Sequence, residues 1–233
     1  MLENIVANQF SKYAQKYGQN NIIQQIISKA LVRDIRNQPK RILELGCGSG
    51  QVYKNIDWEF DFYKAIDSSL EMCSLHPKHP NLKVECTSFD DDAFLKSIKN
   101  EKYDIAISSS ALQWSKSLDK LILNLLKITK NINVVLFTSN TFKSIQSITK
   151  KRSPILSLYE IKDLFSKYTS CEFEVFNYRL EFENKKEMFH YIKNSGVSSS
   201  SSLLSYKDAK QLYKQYSLSY LEFEVVFVKT IKI

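Results

Sequence analysis

Ile42-Leu43-Glu44-Leu45-Gly46-Cys47-Gly48-Ser49-Gly50 is the stretch on which the fold turns. Arg41 to Leu45 reads as a short buried strand, and it runs directly into three glycines at alternate positions. Glycine adopts backbone angles closed to other residues and lets a ligand approach the main chain closely. The spacing is not the G-x-G-x-x-G of nicotinamide dinucleotide folds. Counted from Gly46, the last glycine would fall at position 51, which is Gln51. A tight turn with no ligand also uses glycine, so the meaning of the stretch depends on its surroundings.

The surroundings alternate between strands and helices. Phe62–Ile66 reads as a second strand ending at Asp67, Leu82–Cys86 as a third, Tyr103–Ser108 as a fourth and Asn133–Thr138 as a fifth. The continuous apolar run Val134-Val135-Leu136-Phe137 suits a strand covered on both faces, as in parallel sheets. Leu118, Leu121, Ile122, Leu125 and Leu126 line one face of a helix over 118–130. Residues 1–38 read as helical, with Ile22, Ile23, Ile26, Ile27, Ala30 and Leu31 at helix spacing and Pro39 as the stop. Alternation of this kind predicts an open α/β sheet. The tail differs: 171–182 and 220–231 alternate as strands, and two helices are expected between them, over 185–194 and 206–216. The serine run at 198–202 reads as a surface loop joining those helices. With no repeat and no linker, the chain is expected to be one domain, 1–233.

Asp67 lies 21 residues beyond Gly46. An acid at the end of the second strand can accept hydrogen bonds from both ribose hydroxyls of a nucleoside. It can also cap the following helix, and the two roles are compatible.

Bulk properties narrow the classes. No apolar run approaches the roughly 18–20 residues of a membrane span, and the amino terminus has no apolar signal core. Cys47, Cys73, Cys86 and Cys171 form no C-x-x-C pair and suggest neither a disulfide framework nor a zinc site, so a reducing cytoplasm is expected. His76 and His79, in His-Pro-Lys-His-Pro, read as an exposed loop rather than a metal site. The net charge is +8, but only five of the 33 basic residues are Arg, and the lysines are dispersed. Nucleic-acid readers usually cluster charge and favour arginine forks, so nucleic acid is disfavoured as a partner.

The E-x-G-x-G-x-G pattern from Glu44 to Gly50 resembles the first motif of class I S-adenosylmethionine-dependent methyltransferases. Asp67-Ser68-Ser69-Leu70-Glu71-Met72 resembles the turn that follows the second strand in that superfamily, and Tyr103 to Trp114 resembles its fourth-strand motif. The resemblance implies a Rossmann-like α/β fold with a seven-stranded, mostly parallel sheet. It implies S-adenosylmethionine held by Glu44, Gly46, Cys47, Gly48, Gly50, Asp67, Ser68, Met72, Phe89, Asp90 and Ser108. Met72 would pack on adenine, and Asp90 is favoured over Ser88, Phe89 and Asp91 as the adenine-side acid. Two readings compete at Glu44, a cofactor contact and a brace for the glycine loop. The turn before the fifth strand departs from the pattern, because Thr129-Lys130-Asn131-Ile132 carries neither Pro nor Gly.

Within the superfamily, Phe10-x-x-Tyr13-Ala14-x-x-Tyr17 with Gln24 looks like the lead-in of the malonyl-acyl carrier protein O-methyltransferases of biotin synthesis. Ala111-Leu112-Gln113-Trp114 is typical of that family and is shared with trans-aconitate methyltransferases. Tyr191-Ile192-Lys193-Asn194-Ser195-Gly196-Val197 looks like its segment before the last strand. The resemblance implies transfer of a methyl group to the free carboxylate of a malonyl thioester on acyl carrier protein, by a monomer. It implies a helical lid over 1–38 with Tyr17 facing the methyl, and an insertion over 183–218 capping the substrate side. A cation should hold the carboxylate, and Arg152 and Arg179 both remain open as that cation. The runner-up is a small-acid O-methyltransferase, and a non-catalytic cofactor-binding relative is the rival from another class.

Overall fold

The computed structural model describes residues 21–194 and 206–231. Seven strands form one sheet: β1 (Arg41–Leu45), β2 (Phe62–Asp67), β3 (Leu82–Cys86), β4 (Ile105–Ser109), β5 (Ile132–Phe137), β6 (Cys171–Glu181) and β7 (Tyr220–Thr230). Their order is β3-β2-β1-β4-β5-β7-β6. The first five strands pair in parallel, and β7 runs antiparallel to both β5 and β6. The expected mostly parallel α/β sheet is therefore what forms. Strand order reverses between β1 and β4, which opens a crevice at their carboxyl ends where ligands of such sheets bind.

The inner parallel strands bury both faces, whereas no residue of the edge strand β3 is buried. All six residues of β5 are buried, as its unbroken apolar run requires. Eight helices described here cover the sheet: α1 (Ile22–Asp34), α2 (Leu70–Leu75), α3 (Asp92–Ser97), α4 (Leu118–Ile128), α5 (Lys143–Thr149), α6 (Leu158–Ser166), α7 (Lys185–Asn194) and α8 (Tyr206–Gln215). On one face, Phe94 and Leu95 of α3, Leu121 and Leu125 of α4 and Phe165 of α6 pack on Leu43, Val134 and Leu136. On the other, Ile23, Ile27 and Leu31 of α1 join Met188 and Tyr191 of α7, Leu212 of α8 and Phe223 of β7. Helix α1 and the helices before the last strand thus share one apolar layer. Each buried aliphatic or aromatic side chain there contributes roughly 1.5–3 kcal/mol. Only one stripe of α1 is used: Ile22 and Ile26, expected on its apolar face, are exposed.

The β6–β7 hairpin changes faces along its length. Cys171, Phe173 and Val175 join the core under α4 and α6, whereas Tyr178, Leu180 and Phe182 join the layer under α7 and α8. In β7 the switch falls between Val225 and Val226, both fully buried and on opposite faces. The turn before β5 does without Pro-Gly. Thr129 Oγ1 accepts the Asn131 amide at 3.1 Å, and Thr230 Oγ1 both accepts from Ile132 N and donates to the Lys130 carbonyl, each at 2.8 Å.

Candidate active site

The glycine loop hangs from the ends of β1 and β2. The amides of Gly46 and Cys47 both donate to the Ile66 carbonyl, at 2.8 and 2.9 Å, so the chain reverses tightly over its neighbouring strand. Gly46 has φ +70°, and a Cβ built there would sit 2.2 Å from the Ala111 Cβ. Packing excludes every other residue. Gly48, at φ +53°, is different, because a Cβ there would meet nothing within 4 Å. The middle glycine faces open space, which leaves room for a ligand against the main chain.

Asp67 closes the same cradle. Its Oδ2 accepts the Gly48 amide and its Oδ1 the Ser69 amide, both at 2.9 Å. Burial raises its pKa, and the amides of Ser69, Gly48 and Ser68 oppose that shift. Each oxygen keeps a lone pair for a hydroxyl donor. Ser69 caps α2 by accepting the Met72 amide at 3.2 Å. Ser69, two residues beyond Asp67, therefore takes the helix cap, and Asp67 is left to orient the loop. Ser68 is exposed at the rim, and Met72 is buried beneath it.

Glu44 is buried at 1% exposure. Its Oε2 accepts the Tyr63 hydroxyl at 2.6 Å, and Oε1 has no partner among the described residues. Burial pushes its carboxyl up to about 8, against the Tyr63 hydrogen bond that lowers it. Burial likewise drives Tyr63 well above its ordinary range, with Glu44 adding to the rise. Glu44 and Tyr63 therefore share one proton-rich contact under the loop.

The remaining expected contacts divide. The Phe89 ring borders the loop, 3.7 Å from where a Gly46 Cβ would stand. The Asp90 carboxylate is engaged elsewhere: it accepts Ser115 Oγ at 2.6 Å and the Lys116 amide at 2.8 Å, tying the 88–91 turn to the segment before α4. Ser108, expected against the cofactor, has its fully buried hydroxyl donating to the Leu45 carbonyl at 2.7 Å. It locks β4 to β1 beneath the loop. The Cys47 side chain is also buried, its amide is held by Ile66, and its carbonyl accepts the Gly50 amide at 3.0 Å. Arg152 and Arg179 are both exposed, and the Arg179 guanidinium lies 4.9 Å from the centre of the Tyr220 ring. Tyr17 lies outside the described residues.

One expectation is overturned. His76 is not on an exposed loop: it is 5% exposed, beside Tyr53 with ring centres 5.4 Å apart. It sits against Gly50, where an added Cβ would meet its Nε2 at 3.0 Å. Burial lowers its pKa, which favours the neutral ring. His79 is exposed as expected. Among the described residues no group of His, Cys, Asp and Glu is placed to hold a metal.

The sequence reading missed a polar cluster at the end of β4. Ser110 takes φ +61°, a left-handed conformation that costs a non-glycine residue energy and gathers at functional sites. The hydroxyls of Ser109 and Ser110 and the Oε1 of Gln113 are buried without partners among the described residues. Gln113 Nε2 donates to the Ser110 carbonyl at 2.8 Å, which fixes the side chain. Buried polar atoms are rarely left unmatched, so this end of β4 is able to bind a polar group. The one signal in the sequence was the run of three serines before Ala111.

The cradle fits S-adenosylmethionine: open main chain at Gly48, an acid at Asp67 and unmatched polar atoms beyond β4. Comparisons with known proteins agree. The signature of a family described as a methyltransferase domain matches residues 14–216. The malonyl-acyl carrier protein O-methyltransferase of Acinetobacter baylyi is 23% identical over 95% of this chain and 89% of its own. That of Bacillus anthracis is 24% identical over 84% and 79%, and that of Buchnera aphidicola 26% over 91% and 90%. Among solved structures, the YcgJ protein of Bacillus subtilis superposes with TM-score 0.63 at 13% identity, covering 88% of this chain and 97% of that one. The plantazolicin methyltransferase BpumL, solved with S-adenosylhomocysteine (SAH), gives TM-score 0.57 at 15% identity, covering 99% and 95%. The chain belongs to the methyltransferase-domain family and is a class I S-adenosylmethionine-dependent methyltransferase.

Proposed function

We propose that the methyl acceptor is the free carboxylate of a malonyl thioester carried by acyl carrier protein. The observation that carries this reading is the set of malonyl-acyl carrier protein O-methyltransferases that align along 84–95% of the chain. The Ala111–Trp114 segment, typical of those enzymes, abuts the glycine loop through Ala111.

The bound cofactor supplies a sulfonium methyl that is already electrophilic. A malonyl carboxylate has a reference pKa of about 4 and is ionised at neutral pH, so no residue need act as general base. The chain's task is to align the two groups and exclude water. Asp67 and Gly48 would hold the nucleoside side, and Ser109, Ser110 and Gln113 the reacting side. The layer of α1, α7 and α8 would cap the acceptor, with Tyr17 ahead of α1 facing the methyl. A cation would orient the carboxylate, preferably as a two-pronged arginine contact, and Arg152 and Arg179 are the candidates. The excess of positive charge, +8 over the whole chain, suits an acidic carrier protein and would speed encounter.

The test is a methyl-transfer assay with labelled cofactor on three acceptors: malonyl-carrier protein, a small malonyl thioester and free trans-aconitate. A methyl ester on the malonyl carrier is expected. Its rate should fall as salt rises, because attraction fades beyond a Debye length of about 8 Å at physiological ionic strength. The small thioester should respond much less. Efficient methylation of the free acid with none on the carrier would move the protein to the small-acid reading.

A further inference from the structure

Three of the four cysteines converge beneath the cofactor cradle. The Cys73 thiol has both the Cys47 and the Cys86 side chains as neighbours. Its sulfur is 3.5 Å from the Asp67 carbonyl and 3.9 Å from that of Glu85. The Cys86 sulfur is 4.0 Å from the Ser68 carbonyl, and the Cys47 sulfur 3.6 Å from that of Gly48. Register explains the convergence: Cys86 pairs with Asp67 across β3 and β2, while Cys73 sits on α2 directly above that pair. The thiols grade from buried Cys47 through half-buried Cys73 to exposed Cys86, and all are free. The fourth, Cys171, stands apart on β6.

We propose that Cys73 and Cys86 form a redox-active dithiol whose oxidation by small-molecule disulfides weakens cofactor binding. The nucleophile is Cys73. The Cys47 thiol donates toward it and holds it below the ordinary thiol range, against burial, which raises it. The Cys73 thiolate attacks one sulfur of an external disulfide of the glutathione class and expels the other half as a thiolate. Cys86 then loses its proton and attacks the Cys73 sulfur, expelling the second half. The balance is two protein thiols and one external disulfide giving one protein disulfide and two external thiols. Exposed Cys86 ionises more readily than buried Cys47 and is the better placed to resolve the adduct.

The consequence is mechanical. A disulfide holds its two sulfurs about 2.0 Å apart, so two free thiols must move together to form one. Both sulfurs rest on the carbonyls of Asp67 and Ser68, so closing the bond shifts the turn that aims the Asp67 carboxylate. That step rests on the assignment of Asp67 to the ribose. By linkage, bound cofactor should disfavour oxidation by the same factor that oxidation disfavours the cofactor.

The experiment treats the full-length protein with oxidised glutathione, with and without S-adenosylhomocysteine, followed by peptide mass mapping and calorimetry. The mass should fall by two hydrogens, with a Cys73–Cys86 cross-link. Affinity for S-adenosylhomocysteine should drop about tenfold, within the usual range of such couplings, and return on reduction. Cys171→Ser should behave as wild type, and Cys86→Ser should accumulate a glutathione adduct on Cys73. A wild type that yields only glutathione adducts, a cross-link to Cys47, or the Cys73–Cys86 link with unchanged affinity overturns the proposal. Mass mapping reads the cross-link without the cofactor, and the affinity of the reduced protein tests the cradle by itself.

Discussion

The cradle half of the sheet, β1 to β4, and the proposed acceptor half, β5 to β7 with α1, α7 and α8, hold together by different means. In the cradle half, short-range polar contacts fix the backbone: two amides share the Ile66 carbonyl, Asp67 grips Gly48 and Ser69, and Ser108 pins Leu45. In the acceptor half, the fixing agent is apolar packing between segments far apart in the chain, from Ile23 to Phe223. A cofactor of constant shape is met by a rigid loop whose geometry tolerates no substitution at Gly46. Under the proposed function, the acceptor would be met by helices laid on the β6–β7 pair, whose packing shares no residue with the loop.

The largest expected effect falls in the cradle. Gly46→Ala combines a left-handed conformation, costing about 1–2 kcal/mol, with a collision against Ala111 whose overpacking adds roughly 1–3 kcal/mol. Gly48→Ala carries only the conformational part, because its Cβ enters open space. Both should lose cofactor affinity, but thermal melts should show Gly46→Ala far less stable. Equal melting temperatures in the two variants would break the distinction between a packed and an open glycine.

On the acceptor half, Leu212→Ala empties a site between α1, α7 and α8. It should cost about 2–5 kcal/mol of stability while leaving cofactor affinity per folded molecule unchanged. Calorimetry on the folded fraction checks this. A parallel loss of affinity would show that the halves are coupled.

Glu44 gives a smaller and pH-dependent effect. Burial first of all lifts its carboxyl from 4.5 in the unfolded chain to about 8 in the folded protein. Between those values the folded state binds more protons than the unfolded state. The stabilising contribution is therefore full below about 4.5 and is lost as pH rises to about 8. Glu44→Gln removes this titration, so its melting temperature should fall less steeply with pH than that of the wild type. Asp67 is shifted in the same direction and leaves some slope in the variant. Identical profiles would contradict the buried, protonated Glu44.

The smallest stability effects belong to Arg152→Ala and Arg179→Ala. Both side chains are exposed, and each change should alter stability by no more than about 0.5 kcal/mol. Whichever holds the acceptor should lose malonyl transfer yet keep cofactor affinity, and Arg→Lys there should rescue poorly, because ammonium lacks the planar fork. Full transfer rates in both alanine variants would remove arginine from the acceptor site.

The same contrast governs what was legible in the sequence. The cradle was readable because its determinants are local: glycines at fixed spacing after an apolar strand, and an acid one strand later. All seven strands and the helices over 118–128, 185–194 and 206–215 follow from apolar period and length. The short helices α2 and α3 span six residues each, too few for a periodic signal. The engagement of Asp90 with Ser115 depends on contact across 25 residues. The burial of His76 depends on Tyr53 and Gly50, and no local pattern around His-Pro-Lys-His-Pro reveals them. The turn before β5 hid its logic in Thr230, 98 residues from Ile132.

The most direct measurement of the central claim is calorimetry of S-adenosylhomocysteine binding to the wild type and to Asp67→Ala. Loss of hydrogen bonds to a charged group costs about 1.5–3 kcal/mol, so affinity should fall roughly ten- to hundredfold. The wild type should bind at a single saturable site. A folded wild type that binds nothing, or an Asp67→Ala variant with unchanged affinity, would contradict a cofactor cradle built on Gly48 and Asp67.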